Sequence, residues 1–249
     1  MSRPPLHIGL VAPPWLAVPP TAYGGTELAI DALAAGLTSA GHEVVVFTIG
    51  TSTAQVARQH LFADVDADRM GTSVIELRHV CAAYDLFADE SVGIDIVHDH
   101  TLAGPFVAAG VTDLPIVTTN HGPFDDDFSD LYRRLADRVP VIAISHDQAS
   151  RAPVDVPIAG VIHHGLRTDR YPFGFGGEDV VFLGRMAPDK GVDVAIRVAR
   201  AAGLRLLIAA RMRGPAERAY FDSTVPVSYT HLTLPTTCTP CRSRWSPDH

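Results

Sequence analysis

The feature that most constrains this chain is a pair of apolar runs with no polar alternation. Leu6–Ala12 and Val44–Thr48 each read as a strand buried on both faces, as in a parallel sheet covered by helices. Between them lie Pro13 and Pro14, then a loop closing on Tyr23, Gly24 and Gly25. From Thr26 a helix is predicted, with Leu28, Ala32, Leu33, Gly36 and Leu37 on one face and Gly41 as its stop. Strand, glycine loop, helix and strand in that order make a βαβ unit with a right-handed crossover.

The alternation continues. Ile94–His98, Pro115–Thr119, Val141–Ile144 and Ile158–Ile162 read as strands, with helices near Ala103–Gly110 and Phe128–Arg138. The stretch from Thr51 to Ser91 holds helices and short strands whose bounds the pattern does not fix. Glycines and a proline then cluster without periodicity over Tyr171–Gly177, which is linker chemistry. Beyond it the pattern restarts: Asp179–Leu183 as a strand, a helix with Val192, Ala195, Ile196, Ala199 and Ala202 on one face, and Leu204–Ile208 as a strand. The prediction is an α/β protein. Residues 1–170 form a complete doubly wound, Rossmann-like domain, 171–178 a linker, and 179–226 a second, truncated Rossmann-like domain too short to be whole.

The last segment, 227–249, reads differently. Val227–Thr236 is similar to one frame of a transposase adapter used in preparing sequencing libraries, and the residues after it have no apolar period. It is expected to be a foreign tail, extended and weakly packed. The CxxC spacing of Cys238 and Cys241 lies within it and has no second ligand pair, so a zinc or redox reading is not favoured.

A formal charge of −8 argues against a nucleic-acid partner held mainly by electrostatics. No apolar run reaches the roughly 20 residues that span a bilayer. The start, Met1–Pro5, lacks signal-peptide architecture, so a cytoplasmic location is expected, with room for peripheral membrane contact.

Two turns carry chemistry. Gly24, Gly25, Thr26 and Glu27 sit between a strand and its helix, where glycines allow close backbone approach and the helix N-terminus favours a phosphate or sugar hydroxyl. A plain glycine turn with Thr26 capping the helix explains them equally well. The dinucleotide fingerprint G-x-G-x-x-G is absent from this turn. Gly184–Gly191 occupies the matching turn of the second unit, with Arg185 at a strand end and Lys190 at a helix start. Two such cations would hold a diphosphate, against the alternative of a solvated surface pair. His98 and His100, two apart on a strand, share a face, but no third metal ligand is evident. Asp125, Asp126 and Asp127 read as a solvated acidic loop, and Ser145–His146 as a helix start.

Taken in order, Gly24–Glu27, Asn120–Gly122, Ala143–Ser145, His164–Tyr171 and Leu183–Arg185 with Lys190–Asp193 resemble the retaining glycosyltransferases of family 4, of GT-B fold. His164 stands where the family commonly has Asn. The resemblance implies two Rossmann-like domains and transfer of a sugar from a nucleotide-diphosphate donor with retention, without cofactor or tightly bound metal. The implied acceptor is a sugar, a lipid-linked molecule or a small molecule. It further implies that Arg185 and Lys190 bind the donor diphosphate beside Gly24 and Gly25, and that the catalytic residue His121 reaches the transferred sugar. Thr26, Glu27 and Ser145 are candidate cleft contacts. The family's E-x7-E pair does not follow Arg185, so turnover by this polypeptide itself is not expected. Two other readings stay open: a nucleotide-sugar epimerase on the same architecture, and a non-catalytic sugar- or nucleotide-binding protein.

Overall fold

A computed structural model of the chain describes residues 4–65, 69–135, 138–168, 171, 173–212 and 214–225. The tail expectation, with Cys238 and Cys241, lies outside the described residues, as do Asp169 and Arg170 of the fourth motif. The chain divides into two compact units, Met1–Tyr171 and Pro172–His249.

The first unit is built on seven parallel strands: β1 (His7–Val11), β2 (Glu43–Thr48), β3 (Ala57–His60), β4 (Ile96–Asp99), β5 (Ile116–Asn120), β6 (Val141–Ala143) and β7 (Ile158–Val161). Their order in the sheet is β3-β2-β1-β4-β5-β6-β7, so the winding reverses between β1 and β4. Ile8 of β1 pairs with Val44 on one side and Ile96 on the other. Among the described residues, five α-helices cover the faces: α1 (Gly25–Ser39), α2 (Ser73–Phe87), α3 (Gly104–Val111), α4 (Asp126–Arg133) and α5 (His146–Arg151).

Strand periodicity sorts the core into two layers. Ile8, Leu10, Val44 and Val46 face α1 and pack on Ile30 and Ala34. Val11, Val45 and Phe47 face the other way, onto Val80, Tyr84 and Phe87 of α2. Gly9 belongs to the second layer, and a Cβ there would stand 2.8 Å from the Phe87 ring. A third cluster, with Tyr132, Leu135, Val139 and Val141, holds α4 against the far strands.

Three details differ from the sequence reading. Helix α1 buries Glu27, Ile30, Asp31 and Ala34 most deeply, while Leu33 and Leu37 of the expected face pack beside them and are only partly buried. It is apolar nearly all round, so hydrophobicity alone selects no stripe. Its N-cap is Gly24 and no side chain caps it, so Thr26 is not the cap. Helix α4 ends at Arg133 instead of Arg138, because Leu135 and Val139 leave the helix to enter the core. The strand β3, Ala-Arg-Gln-His, is exposed throughout and forms the sheet edge, which explains why no apolar pattern announced it.

The second unit, described by itself, has β8 (Val180–Arg185) parallel to β9 (Leu206–Arg211), with α6 (Val192–Ala201) and α7 (Pro215–Thr224). Phe182 and Ile208 point from the strands into a core formed by Met186, Val192, Ile196 and Val225. Their strand neighbours Val181, Leu183 and Leu207 face outward and are exposed.

Candidate active site

In an open parallel sheet, ligands bind beyond the carboxyl ends of the strands, where the winding reverses. Here that edge carries the loops leaving β1 and β4, with those after β5, β6 and β7 beside them. Gly24 ends the first loop, His100 follows β4, His121 follows β5, Ser145 lies after β6 and His164 after β7. Parallel pairing therefore brings the sequence-predicted residues of the first unit to one edge.

The two glycines of the first loop differ. A Cβ on Gly24 would lie 2.8 Å from both Glu27 Oε2 and the Pro20 ring, so that position admits only glycine without rearrangement. A Cβ on Gly25 would meet nothing within 4 Å. The Gly25 backbone thus borders open space at the N-terminus of α1, whose first bond runs from Leu28 N–H to Gly24 O. Glu27 is buried, and burial raises its carboxyl above the usual range. The loop is anchored at its other end by His79, whose Nε2–H donates to Ala12 O at 2.9 Å.

The turn after β4 is organised by Asp99, a fully buried carboxylate. Its Oδ1 accepts from Thr101 N–H and Oγ1–H, each at 2.7 Å, and its Oδ2 accepts from the Tyr84 hydroxyl at 2.7 Å. Burial outweighs these bonds and pushes its pKa up to about 6. Gly104 lies so close to Asp99 that a Cβ would overlap the carboxylate. Glu76 Oε1 accepts from Leu102 and Ala103 N–H at 2.7 and 3.1 Å, closing the turn from outside.

The His121 loop is clamped by Gln148. Its Nε2 donates to Asn120 O at 3.0 Å and to Gly122 O, while its Oε1 accepts from Ile144 N–H at 2.7 Å. Ser145 caps α5 by accepting from Gln148 N–H at 3.0 Å, so its hydroxyl acts through this clamp. Asp125 likewise caps α4, accepting from Phe128 N–H. Asp99, Gln148 and His79 were not singled out from sequence as site-forming groups, since each also holds a partner distant in the chain: Tyr84 for Asp99, Asn120 and Gly122 for Gln148, and Ala12 for His79.

Four imidazoles gather at this edge. His98 and His100 stack with centroids 4.2 Å apart, and His98 Nε2 lies 2.7 Å from Thr119 Oγ1. His100 Nδ1 is 2.9 Å from His121 Nε2, and His121 Nδ1 is 3.2 Å from His164 Nε2. Burial, aided by the neighbouring rings, lowers His121 to about 3 and holds His100 well below the ordinary range; burial lowers His98 to about 4. Neutral rings are therefore the resting state. Among the described residues no group of three or more His, Cys, Asp or Glu is arranged to hold a metal ion. A cavity of about 200 Å³ between α1 and Arg167 is lined by none of these imidazoles.

In the second unit, Arg185 closes β8 and Lys190 ends a short 3-10 turn, Pro188–Lys190. Gly191 follows in the left-handed region, at φ 69°, and starts α6. Arg185 Nη2 donates to Asp189 Oδ2 at 2.9 Å, and Lys190 Nζ lies 3.3 Å from the same oxygen. Arg185 Nη1 also lies 3.9 Å from Glu217 Oε1.

No described helix is long and apolar enough to cross a membrane. The architecture is that of a Rossmann-like, GT-B type protein. Residues 23–170 match Glycosyltransferase Family 4, and the chain belongs to that family. The crystal structure of AviGT4, a glycosyltransferase involved in avilamycin A biosynthesis, is similar at 23% identity and a TM-score of 0.59, over 90% of this chain and 61% of that one. This chain therefore spans less than two thirds of AviGT4. The glycotransferase of kitacinnamycin shows a more distant likeness, with 14% identity and a TM-score of 0.48 over 85% of this chain and 67% of that one. No curated protein matches the chain.

Proposed function

We propose that the protein is a glycosyltransferase that takes a hexose-like sugar from a nucleotide-diphosphate donor and passes it to an acceptor with retention of configuration. Arg185 and Lys190 are the diphosphate ligands, Gly24 and Gly25 border the donor, and His121 meets the transferred sugar. Thr26, Glu27 and Ser145 shape the edge of the first unit on which Gly24, Gly25 and His121 sit.

One observation carries the reading. The turn after β8 brings two cations of different chemistry within reach of a single oxygen, Asp189 Oδ2. An oxyanion of a departing diphosphate has the same charge and acceptor geometry, and a guanidinium with an ammonium stabilises it without a metal. The departing charge is the largest that develops in glycosyl transfer from such a donor, so groups aimed at it are where catalysis gains most. Family membership gives the reaction class, and retention and metal independence follow from the family resemblance.

The test is twofold. Transfer assayed with a panel of nucleotide sugars, on a chain that carries a complete second Rossmann-like domain, should persist in EDTA, and NMR of the product should show the donor's anomeric configuration. An inverted product, or activity abolished by EDTA and restored by a divalent cation, would contradict the reading. Sugar interconversion without an acceptor would favour the epimerase.

A further inference from the structure

His121 has both ring nitrogens committed, and this restricts what it can offer a substrate. A neutral imidazole carries one N–H and one lone pair. Since Nε2 meets His100 Nδ1 and Nδ1 meets His164 Nε2, one contact must donate and the other accept. The three rings form a directed chain, and fixing either end fixes His121.

The ends are unequal. His164 is exposed, so its outer nitrogen can meet solvent in either protonation pattern. His100 is buried, and its Nε2 has no hydrogen-bond partner. If the hydrogens ran inward from His164, His100 Nε2 would carry a buried N–H with nothing to accept it. If they run outward, that atom is only an unused lone pair. Orphaned buried N–H groups are rarer than under-used acceptors, and desolvating one is costly. The outward direction wins.

We propose that His100 is a positioning residue that holds His121 as the Nδ1–H tautomer, and that His164 occupies, at His121 Nδ1, the place a substrate oxygen takes. The inference rests on the reading of His121 as a sugar-facing residue. On that reading His121 presents a hydrogen-bond donor, selected from behind by a ring that never touches substrate. Displacing the exposed His164 hands that N–H to a sugar hydroxyl or ring oxygen, an acceptor with lone pairs to spare. His98 stands outside the chain, bonded to Thr119.

The tautomer is readable by two-bond 1H–15N correlation on the 15N-histidine-labelled chain, with His121 signals assigned through His121→Asn. The wild-type ring should show a protonated Nδ1 and a bare Nε2. His100→Asn, whose amide N–H stands where Nδ1–H stood, should preserve that pattern. His100→Leu should lose it in favour of a mixture rich in Nε2–H, and His164→Ala should leave it in place. A wild-type His121 protonated at Nε2, an unchanged pattern in His100→Leu, or a switch in His164→Ala would overturn the assignment. Backbone amide spectra report folding, and if His100→Leu does not fold, the His100→Asn and His164→Ala arms still decide. The spectra are taken without nucleotide sugar, so a failure to bind donor counts against the proposed function and not against the tautomer.

Discussion

Gly24 and Gly25 are adjacent but perform different physical tasks, and substitution separates them. Gly25→Ala adds a methyl into open space at the first position of α1, where alanine is the better helix former, so thermal stability should hold or rise slightly. If donor backbone contact occurs there, nucleotide-sugar affinity should nevertheless fall. Gly24→Ala should cost about 1–3 kcal/mol, because the methyl enters space held by Glu27 and Pro20. Thermal melts with donor titrations check both, and unchanged donor affinity in Gly25→Ala would remove Gly25 from the site. Asp189 makes the opposite case. Its ion pairs with Arg185 and Lys190 are partly exposed and worth about 1 kcal/mol or less. Asp189→Asn should therefore tighten donor binding, by about fivefold at most.

Elements differed in how far the sequence disclosed them. The strands β1, β2, β5 and β6 are apolar runs between turn residues and could be placed within a residue or two. Gly41 does follow α1, at φ 93°. The helix α7 was not anticipated, and the edge strand β3 lay in the stretch where short strands were expected without bounds, because neither carries an apolar stripe: Ala57–His60 is exposed throughout and no α7 residue is buried. The site shows the same division. Motif glycines, Arg185 and Lys190 stand out by their positions in strand–turn–helix units and His121 by the family resemblance, whereas the Gln148 clamp joins the loops after β5 and β6 through contacts that spacing does not encode. The clamp gives a prediction at this scale. Gln148→Leu leaves Ile144 N–H and the Asn120 and Gly122 carbonyls without their partner, and should cost on the order of 2–4 kcal/mol. It should also broaden the His121 resonances, and a variant as stable as wild type would show that the clamp does not hold the loop.

Across the whole molecule, buried titratable groups make stability depend on pH with a definite sign. His79 and His98 are lowered to about 4 and His121 to about 3, chiefly by burial, from an ordinary 6.5. In that window the unfolded chain binds more protons, so stability is present above about pH 6.5 and is lost as pH falls through the folded values. Asp99 acts oppositely: raised to about 6 from 3.8, it adds stability below its unfolded value and loses it as pH rises through 6. These imidazoles, with His100 lowered alongside them, outweigh Asp99 and the likewise raised Glu27, so the denaturation midpoint should be lower at about pH 5 than at about pH 7.5, with a shallower decline in His98→Gln. A midpoint that rises on acidification would contradict the burial assigned to these rings. The central claim, that this family-4 chain holds the diphosphate of a sugar donor with two cations, is tested most directly by calorimetric titration of nucleotide-diphosphate sugars into the protein and into Arg185→Ala and Lys190→Ala. Loss of a charge-assisted contact should weaken binding by about tenfold or more in each variant, with melting temperatures little changed. Equal affinity in the wild type and both folded variants would contradict it.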